Sequence, residues 1–399
     1  MSAADRPGGE APPTRVLHVS HTGHRGGAEL ALARLLAAAP PWHAGLCCPP
    51  GGAAFDALPG HGVTVEQRLP RLPIGGTRSR SPLLAARYLA TLRAAAHALR
   101  RSPLFDQAEL IHANTAAAAI ISALANRGRP ARLVIHLRDL VTPESLGRFG
   151  YAAFTRLALL HADGVIANSH ATLDSASDRL PAGLPRTVLQ SPSGLHNRVT
   201  EPAVRPEVRA IGMVGRLQRW KGQHVFLRAF ADSFRGTEVR GYLAGAPLFE
   251  ETAYAQELHA LAAELGVAEQ VTFLGHVDDV AGFIDSVDVL VHASIKPEPL
   301  GQTVLQGLAN AKPLIATEGG GPSEWIRSGV NGLLVPPGRP EALAAAMRKL
   351  AGSRELRLEL ATGAARTAGI LSDAECAVAH AAFFHEVARA AGSPQRGGW

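Results

Sequence analysis

Acidic and amide residues in the second half of the chain have the spacing of a site for a sugar attached to phosphate. Glu298 lies in a turn of Pro and Gly residues, and a helical pattern begins near Leu300. Gln302 and Gln306 share one face of that helix because they are four residues apart. The first N–H groups of a helix lack partners within it and lie at the positive end of its dipole, so they attract phosphate. The segment therefore predicts a sugar phosphate site with Glu298 at its entrance.

Two cations occur in an earlier turn. Arg216 and Lys221 lie between the apolar run 210–214 and a helical stretch that begins at Gln223. Arginine offers a fork of N–H donors and lysine a compact charge, so the two can converge on a diphosphate. The alternative is that both are ordinary solvated side chains of a turn, and the spacing alone leaves both interpretations open.

Short apolar strands alternate with turns and helices around these residues. Residues 287–292 and 313–317 are apolar runs of strand length that flank the predicted helix 302–310. Strand, turn, helix and strand in this order predict a parallel α/β sheet. In such sheets ligands bind at the carboxyl ends of the strands, which is where the two turns lie.

The same alternation fills the first half of the chain. His112 and His136 each end a predicted strand, so we expect both at one edge of a sheet. A chain of 399 residues is long enough for about two domains, and the Pro-, Arg- and Glu-rich segment 196–209 is typical of a linker. The predicted fold class is α/β with two doubly wound, Rossmann-like domains. The predicted strands of the first domain are 15–20, 44–48, 63–67, 109–112, 133–136, 165–168 and 187–190.

The composition is that of a soluble globular protein, with 46% hydrophobic and 19% charged residues. No apolar run reaches the roughly 18 residues that a membrane span requires. The amino terminus has no apolar core and does not resemble a signal peptide. Three cysteines provide no disulfide framework and are compatible with a reducing compartment. We therefore predict a cytoplasmic protein.

Positive charge is concentrated in residues 1–200, which hold 21 Arg and no Lys against 12 acidic residues. A basic half could contact nucleic acid or an anionic membrane. Aromatic residues, at 5%, are too sparse for the stacking platforms of single-strand binders, so nucleic acid is not expected. The segment 71–101, with Arg78, Arg80, Arg87 and Arg93 among Leu and Ala, could contact the inner face of the membrane peripherally. An ordinary solvated helix face is the alternative.

Three motifs together resemble the retaining, nucleotide-sugar-dependent glycosyltransferases of family 4 (group 1). They are Gly26-Gly27-Ala28-Glu29, Gly215-Arg216 with Lys221-Gly222, and Glu298-Pro299-Leu300-Gly301 followed by Gln306. The family usually has Pro-Phe-Gly after the first Glu and a second Glu where this chain has Gln306. The resemblance covers roughly residues 15–390, and its most specific motifs come after residue 210.

The resemblance implies the GT-B fold, with two Rossmann-like domains that face each other across a cleft. The amino-terminal domain, 15–200, would bind the acceptor, and the carboxyl-terminal domain, 201–373, would bind the nucleotide-sugar donor. A final helix, 374–391, would cross back to the first domain. We expect residues 1–14 and 392–399 to be disordered.

The resemblance also implies a hexosyltransferase that moves a sugar from a UDP- or GDP-sugar to a glycan, a lipid-linked glycan or a small natural product. Arg216 and Lys221 would stabilise the diphosphate, Glu298 would accept hydrogen bonds from sugar hydroxyls, and His136 would lie near the reacting carbon. No cofactor and no metal would be needed, because the diphosphate itself would take the acceptor proton. The implied donor-binding residues are Gly26, Gly27, Gly215, Arg216, Lys221, His276, Val277, Glu298, Leu300, Gly301, Gln302, Thr303 and Gln306.

Gln306 is the main departure from the family pattern. Glu at this position accepts hydrogen bonds from the ribose hydroxyls, whereas Gln has one carbonyl acceptor and can hold only part of that contact. We therefore expect tighter nucleotide binding on Gln306→Glu. The departure also favours an alternative, a non-catalytic binding protein of the same fold. A sugar-nucleotide epimerase would need further carboxylates, and a phosphorylase would need a lysine in a pyridoxal phosphate context.

Overall fold

The computed structural model describes residues 14–73, 81–195, 198–247 and 252–390. Two predictions therefore lie largely outside the described residues, those of a disordered amino terminus, 1–14, and a disordered tail, 392–399. Arg78 and Arg80 of the basic segment also lie outside them. The described part forms two compact units. The first contains residues 14–168, 173–189 and 373–390, and the second contains residues 169–172 and 190–372.

The first unit is built on a parallel sheet of seven strands in the order β3-β2-β1-β4-β5-β6-β7. Its central strands are mostly buried and apolar, as expected where helices cover both faces of a parallel sheet, whereas the two edge strands are partly exposed. The strands are β1 (Arg15–Val19), β2 (His43–Cys48), β3 (Thr64–Gln67), β4 (Leu110–Ala113), β5 (Arg132–Leu137), β6 (Gly164–Ala167) and β7 (Arg186–Val188).

The helices of the first unit divide between the two faces. Leu92 and Phe154 belong to the core on one face, which α2, α4 and α6 cover. Leu35 and Phe384 belong to the core on the other face, beneath α1 and α15. The helices are α1 (Gly27–Ala37), α2 (Pro82–Arg100), α3 (Pro103–Gln107), α4 (Ala116–Ala125), α5 (Pro143–Leu146), α6 (Arg148–Leu157) and α15 (Asp373–Arg389); the short α7 (His170–Asp174) begins in the second unit and ends in the first.

The second unit has a parallel sheet of six strands in the order β10-β9-β8-β11-β12-β13. If β8 is counted as the first strand of this unit and β13 as the sixth, the order is 3-2-1-4-5-6, which is that of the Rossmann fold. The strands are β8 (Ala210–Val214), β9 (Arg240–Ala244), β10 (Val271–Gly275), β11 (Val289–His292), β12 (Leu314–Thr317) and β13 (Leu333–Val335).

Helices cover both faces of this sheet as well. Phe226, Phe230 and Met347 form a core beneath α8 and α13, and Phe283 and Leu305 form a core beneath α10 and α11. The helices are α8 (Gln223–Phe234), α9 (Thr252–Glu264), α10 (Val280–Ser286), α11 (Gln302–Ala309), α12 (Pro322–Trp325), α13 (Pro340–Gly352) and α14 (Arg354–Ala365). The two doubly wound sheets confirm the predicted α/β fold class. Within the described part of the chain, no helix is long and apolar enough to cross a membrane.

Candidate active site

The strand order of the second unit reverses between β8 and β11, which are neighbours at the centre of the sheet. Adjacent helices leave this point toward opposite faces, so a crevice opens at the carboxyl ends of the two strands. Gly215 and Arg216 follow β8 directly, and the loop that carries Glu298 follows β11. The topology therefore brings the predicted cations and the predicted acid to one place in this unit.

The turn between β8 and α8 is held in a single shape. The Gln223 side-chain amide donates to the Arg216 carbonyl over 2.8 Å. Gly222 has φ 79°, and a Cβ there would lie 1.9 Å from the Ala293 carbonyl oxygen. Only glycine fits both constraints. As a result, Lys221 is held at the end of this turn, next to the loop that follows β11.

Glu298 is surrounded by three hydrogen-bond donors. Its Oε1 accepts from Lys221 Nζ at 2.6 Å. Its Oε2 accepts from His292 Nε2 at 2.6 Å and from Ser294 Oγ at 2.8 Å. Burial of the Glu298 carboxyl opposes ionisation, but Lys221 and His292 outweigh it and hold the pKa well below its usual range. We call Lys221, His292, Ser294 and Glu298 the Glu298 cluster.

Helix α11 begins immediately after this loop. Its N-cap is Gly301, which has φ 74° and makes no side-chain capping bond. Gln302 and Thr303 form the first turn, so their N–H groups can receive an anion. Leu300 is buried in the core beneath α11. Leu300 can therefore contribute only its backbone to a ligand.

Gln306 and Gln302 both use their amide nitrogens on backbone carbonyls. Gln306 Nε2 donates to the Ser193 oxygen at 2.7 Å, and Gln302 Nε2 donates to the Pro192 oxygen at 3.1 Å. A carbonyl can only accept, which fixes the orientation of each amide. The carbonyl oxygen of Gln306 is thus not the atom that contacts Ser193. The ribose contact stays a prediction, and it depends on this carbonyl oxygen alone.

His276 and Val277 lie farther from the switch point, after β10. This strand is separated from β8 by β9, so about 10 Å of sheet lies between them. The His276 side chain is half exposed and contacts Asp278 at 3.1 Å. Val277 packs on the apolar core.

The remaining predicted site residues belong to the first unit. Gly26 is the N-cap of α1 and Gly27 its first residue, at the carboxyl side of β1. The predicted strand 133–136 is β5, and His136 lies in it with 1% exposure. The side chain is therefore inside the unit, between the sheet and α15.

His136 is the last member of a hydrogen-bonded chain of aromatic rings. Trp42 Nε1 donates to His18 Nε2 at 3.0 Å, His18 Nδ1 contacts His112 Nδ1 at 2.9 Å, and His112 Nε2 contacts His136 Nδ1 at 3.1 Å. Burial, with the nearby Arg138, lowers the pKa of each of these histidines below its ordinary value, so all three are neutral.

Neutral rings carry one proton each, which fixes the tautomers in this chain. An indole can only donate, so His18 is protonated on Nδ1, His112 on Nε2 and His136 on Nε2. Within the described residues, His136 Nε2 has no hydrogen-bond partner. A role for His136 at a reacting carbon would require this N–H, and it stays a prediction.

Sequence reasoning missed two members of the Glu298 cluster. His292 and Ser294 are two residues apart and therefore point to the same side of an extended chain. Their position just before the Glu298 turn was a usable signal. Across the described part of the chain, no group of three or more His, Cys, Asp or Glu side chains could hold a metal ion.

Comparison with known proteins identifies the family and the fold. Residues 200–367 match the family model described as glycosyl transferases group 1, and residues 26–188 match the model described as glycosyltransferase family 4. The chain belongs to the family 4 (group 1) glycosyltransferases. Both units of this family member are covered by the two models, and its fold is GT-B, as the sequence predicted.

Relatives of this glycosyltransferase family member include proteins named for lipopolysaccharide core biosynthesis and for D-inositol 3-phosphate. The lipopolysaccharide core biosynthesis glycosyltransferase LpsE of Rhizobium meliloti (strain 1021) is 35% identical over 164 residues, 41% of this chain and 45% of LpsE. A D-inositol 3-phosphate glycosyltransferase of Corynebacterium urealyticum is 29% identical over 213 residues, 51% of this chain and 50% of that protein. The chain thus spans about half the length of these curated relatives.

A solved structure matches over nearly the whole chain. The crystal structure of Anabaena HepE in complex with UDP has a TM-score of 0.76 and 26% identity. The match covers 94% of this chain and 100% of HepE.

Proposed function

We propose that this protein transfers a hexose from a UDP- or GDP-sugar to a glycan, a lipid-linked glycan or a small natural product, with retention at the anomeric carbon. The observation that carries the proposal is the Glu298 cluster. It combines a cation with an ionised carboxylate, and it lies beside the uncapped N-terminus of α11 at the switch point of a Rossmann-like sheet. The HepE structures with UDP and with UDP-glucose support a donor of this class.

The proposed reaction depends mainly on positive charge at the diphosphate. Breaking the bond to the sugar places negative charge on the leaving phosphates, and fixed cations stabilise that charge without reorganisation. Arg216, Lys221 and the first N–H groups of α11 supply it. The leaving diphosphate takes the acceptor proton on the same face, so no protein nucleophile is required.

Release of free nucleoside diphosphate tests this function. Thermal shift with UDP-, GDP- and ADP-sugars selects the donor, and turnover is then followed with candidate acceptors. Lys221→Ala should lose turnover, whereas Lys349→Ala, which removes a lysine from the exposed side of α13, should keep it. If none of the nucleotides raises the melting temperature, the glycosyltransferase proposal is refuted. Nucleotide binding without turnover for any acceptor would favour the non-catalytic alternative.

We also propose that the first unit contacts the anionic inner face of a membrane through α2. Arg87 and Arg93 lie on the exposed side of this helix, and Leu83 at its start is 80% exposed. Basic residues beside an exposed apolar side chain suit an anionic bilayer. Sedimentation with anionic vesicles should fall steeply as salt rises, and Arg87→Gln with Arg93→Gln should reduce it. Equal binding to neutral vesicles, or no binding to either kind of vesicle, would favour the alternative, an ordinary solvated helix face.

A further part of the proposal is that transfer requires no divalent metal. Arg216 and Lys221 would supply the charge that a metal provides in other transferases. Turnover should therefore persist in excess EDTA. Loss of turnover in EDTA that Mg²⁺ or Mn²⁺ restores would refute this part of the proposal.

A further inference from the structure

A cavity of about 460 Å³ opens in the first unit at the amino-terminal ends of β1, β2 and β3. The first residues of these strands, Arg15, His43 and Thr64, all line it. Gly26 and Gly27 follow the other, carboxyl-terminal end of β1. The cavity therefore lies at the opposite edge of the sheet from the glycine turn, and its volume is in the range of small-molecule sites.

Basic side chains converge on this cavity. Arg15 and His43 are register partners on the parallel strands β1 and β2, so their side chains leave the sheet on the same face, with backbones about 5 Å apart. His61, which ends the short helical turn before β3, lines the same cavity. Among the described residues, none forms a hydrogen bond or an ion pair with these three side chains, and all three residues are exposed. Their donors are therefore available to a ligand.

The charge of the cavity is positive. Its described lining includes no Asp or Glu. Glu109 lies nearby, but its carboxylate accepts from the Arg15 backbone N–H at 3.1 Å and not from the guanidinium. The carboxyl ends of α1 and α3 also lie at this edge, and each carries at most about half a negative charge. Arg34 in the last turn of α1 offsets the first, and α3 has only five residues. The described lining therefore has a net positive charge, which Arg15 supplies.

The inner wall of the cavity is apolar. Leu17 and Trp42 belong to this wall and are 1% and 7% exposed. Leu104 packs over Gly45, where a Cβ would lie 3.2 Å from Leu104 Cδ1, so the missing side chain leaves the room that Leu104 occupies. An apolar wall beside a basic rim suits a molecule with an anionic group at one end and an apolar body at the other.

From these observations we propose that the first unit binds a small organic anion in this cavity, with the phosphate or carboxylate group of the ligand on Arg15. A guanidinium pairs with either group through two parallel N–H donors. The His43 and His61 rings add N–H donors, and the apolar part of the ligand lies against Trp42 and Leu104. This site belongs to a different unit from the Glu298 cluster, and the inference does not depend on the proposed transfer reaction.

The indole N–H signals of tryptophan in nuclear magnetic resonance spectra report separately on this cavity and on the proposed donor site. Trp42 lines the cavity, whereas the centre of the Trp220 ring lies 4.3 Å from Lys221 Nζ. Trp42→Phe and Trp220→Phe assign the two signals. Phenyl phosphate and benzoate are the probes, and they distinguish a phosphate ligand from a carboxylate ligand. Phenol is the uncharged control.

At least one of the two anions should shift the Trp42 signal, and phenol at the same concentration should not. Arg15→Gln should weaken this binding about tenfold, because it removes a charge-assisted contact with two donors. Arg156→Gln, which changes an exposed arginine on α6, is the matched control and should bind as the native protein does. Arg15 is exposed, so Arg15→Gln should keep the dispersed indole signals of the native fold.

Three results would overturn the inference: no shift of the Trp42 signal with either anion, an equal shift with phenol, or a shift that Arg15→Gln leaves unchanged. Replacing His43 and His61 together by Ala should also weaken the binding, and unchanged affinity would remove the two rings from the site. A probe that shifts only the Trp220 signal binds at the proposed donor site and also counts against the cavity. Failure of all nucleotides to bind would refute the proposed function and leave this inference standing.

Discussion

Gln306→Glu is the substitution for which the structure changes the expected result most. The sequence predicted tighter nucleotide binding, because Glu is the stronger acceptor for ribose hydroxyls. In the structure, however, Gln306 is 8% exposed and its amide donates to the Ser193 carbonyl at 2.7 Å. A carboxylate cannot donate, so the substitution would bring two oxygens together and leave that carbonyl without its donor.

The size of the effect can be worked from this contact. Leaving a buried carbonyl unpaired costs about 1–3 kcal/mol, and burying an unpaired charge adds to it. We expect Gln306→Glu to lower the free energy of unfolding by about 2–4 kcal/mol at neutral pH. The stronger ribose contact would be worth at most about 1–2 kcal/mol, and only when nucleotide is bound. It therefore does not offset the loss of stability in the free protein.

The loss should depend on pH, with a sign that follows from linkage. Burial and the Ser193 carbonyl raise the folded-state pKa of the introduced Glu above its unfolded value of about 4.3. The protonated acid can donate to the carbonyl, so stability is recovered below about pH 4.3 and lost as pH rises through the folded pKa. Above that pH the loss stays constant.

Urea unfolding of both proteins, measured between pH 4 and 8, decides this prediction. Gln302→Glu is the matched control, since it makes the same change four residues earlier, against the Pro192 carbonyl, at a half-buried position. The control should lose clearly less stability, because water can reach the new carboxylate. Equal stability of Gln306→Glu and the native protein at pH 7 would refute the reasoning.

Three further predictions concern charge, backbone and acid stability. Replacing Arg216 or Lys221 by Ala should cost about 2–4 kcal/mol of transition-state stabilisation, measured as kcat/KM; turnover within about twofold of native would remove that residue from the mechanism. Gly222→Ala should lower the free energy of unfolding by more than about 2 kcal/mol because its Cβ meets the Ala293 carbonyl at φ 79°. An unchanged urea midpoint would contradict this. Burial lowers the pKa of His18 to about 3 and the pKa of His380 to about 4. Below about pH 6.5 the unfolded chain therefore binds more protons than the folded protein, and the free energy of unfolding should fall as the pH drops. His380→Phe should reduce that slope, and an identical slope would count against this account.

The fold could be predicted well because its signal is local. Buried parallel strands appear as short apolar runs between turns, and the run 210–214 coincides with β8. Strand ends were less certain. The predicted strand 287–292 begins at Val289 in the structure, and Asp288 just before it accepts hydrogen bonds from the backbone N–H groups of Arg209 and Ala210, at 2.7 and 2.8 Å. A side chain that bonds the backbone of a neighbouring strand leaves no periodic pattern.

The sequence predicts that Arg216, Lys221 and Glu298 lie together, but it did not predict His292 and Ser294 beside Glu298. Arg216, Lys221 and Glu298 were identified from residue type and spacing, because turns after parallel strands meet at one edge. Residue types and spacing do not indicate that Lys221 donates to Glu298, or that the Gln306 amide donates to the Ser193 carbonyl. Both contacts depend on long-range packing between residues 77 and 113 positions apart.

The chain of rings from Trp42 to His136 has a direction, which the indole at its first end sets. Two histidines that share a proton can do so in either of two senses with nearly equal energy, whereas an indole at one end permits only one. Trp42→Phe would remove this constraint, and the proton arrangement would then be decided by neighbouring groups such as Arg138. A residue next to β2 therefore decides whether the ring at the far end offers a donor or an acceptor, although it never contacts that ring.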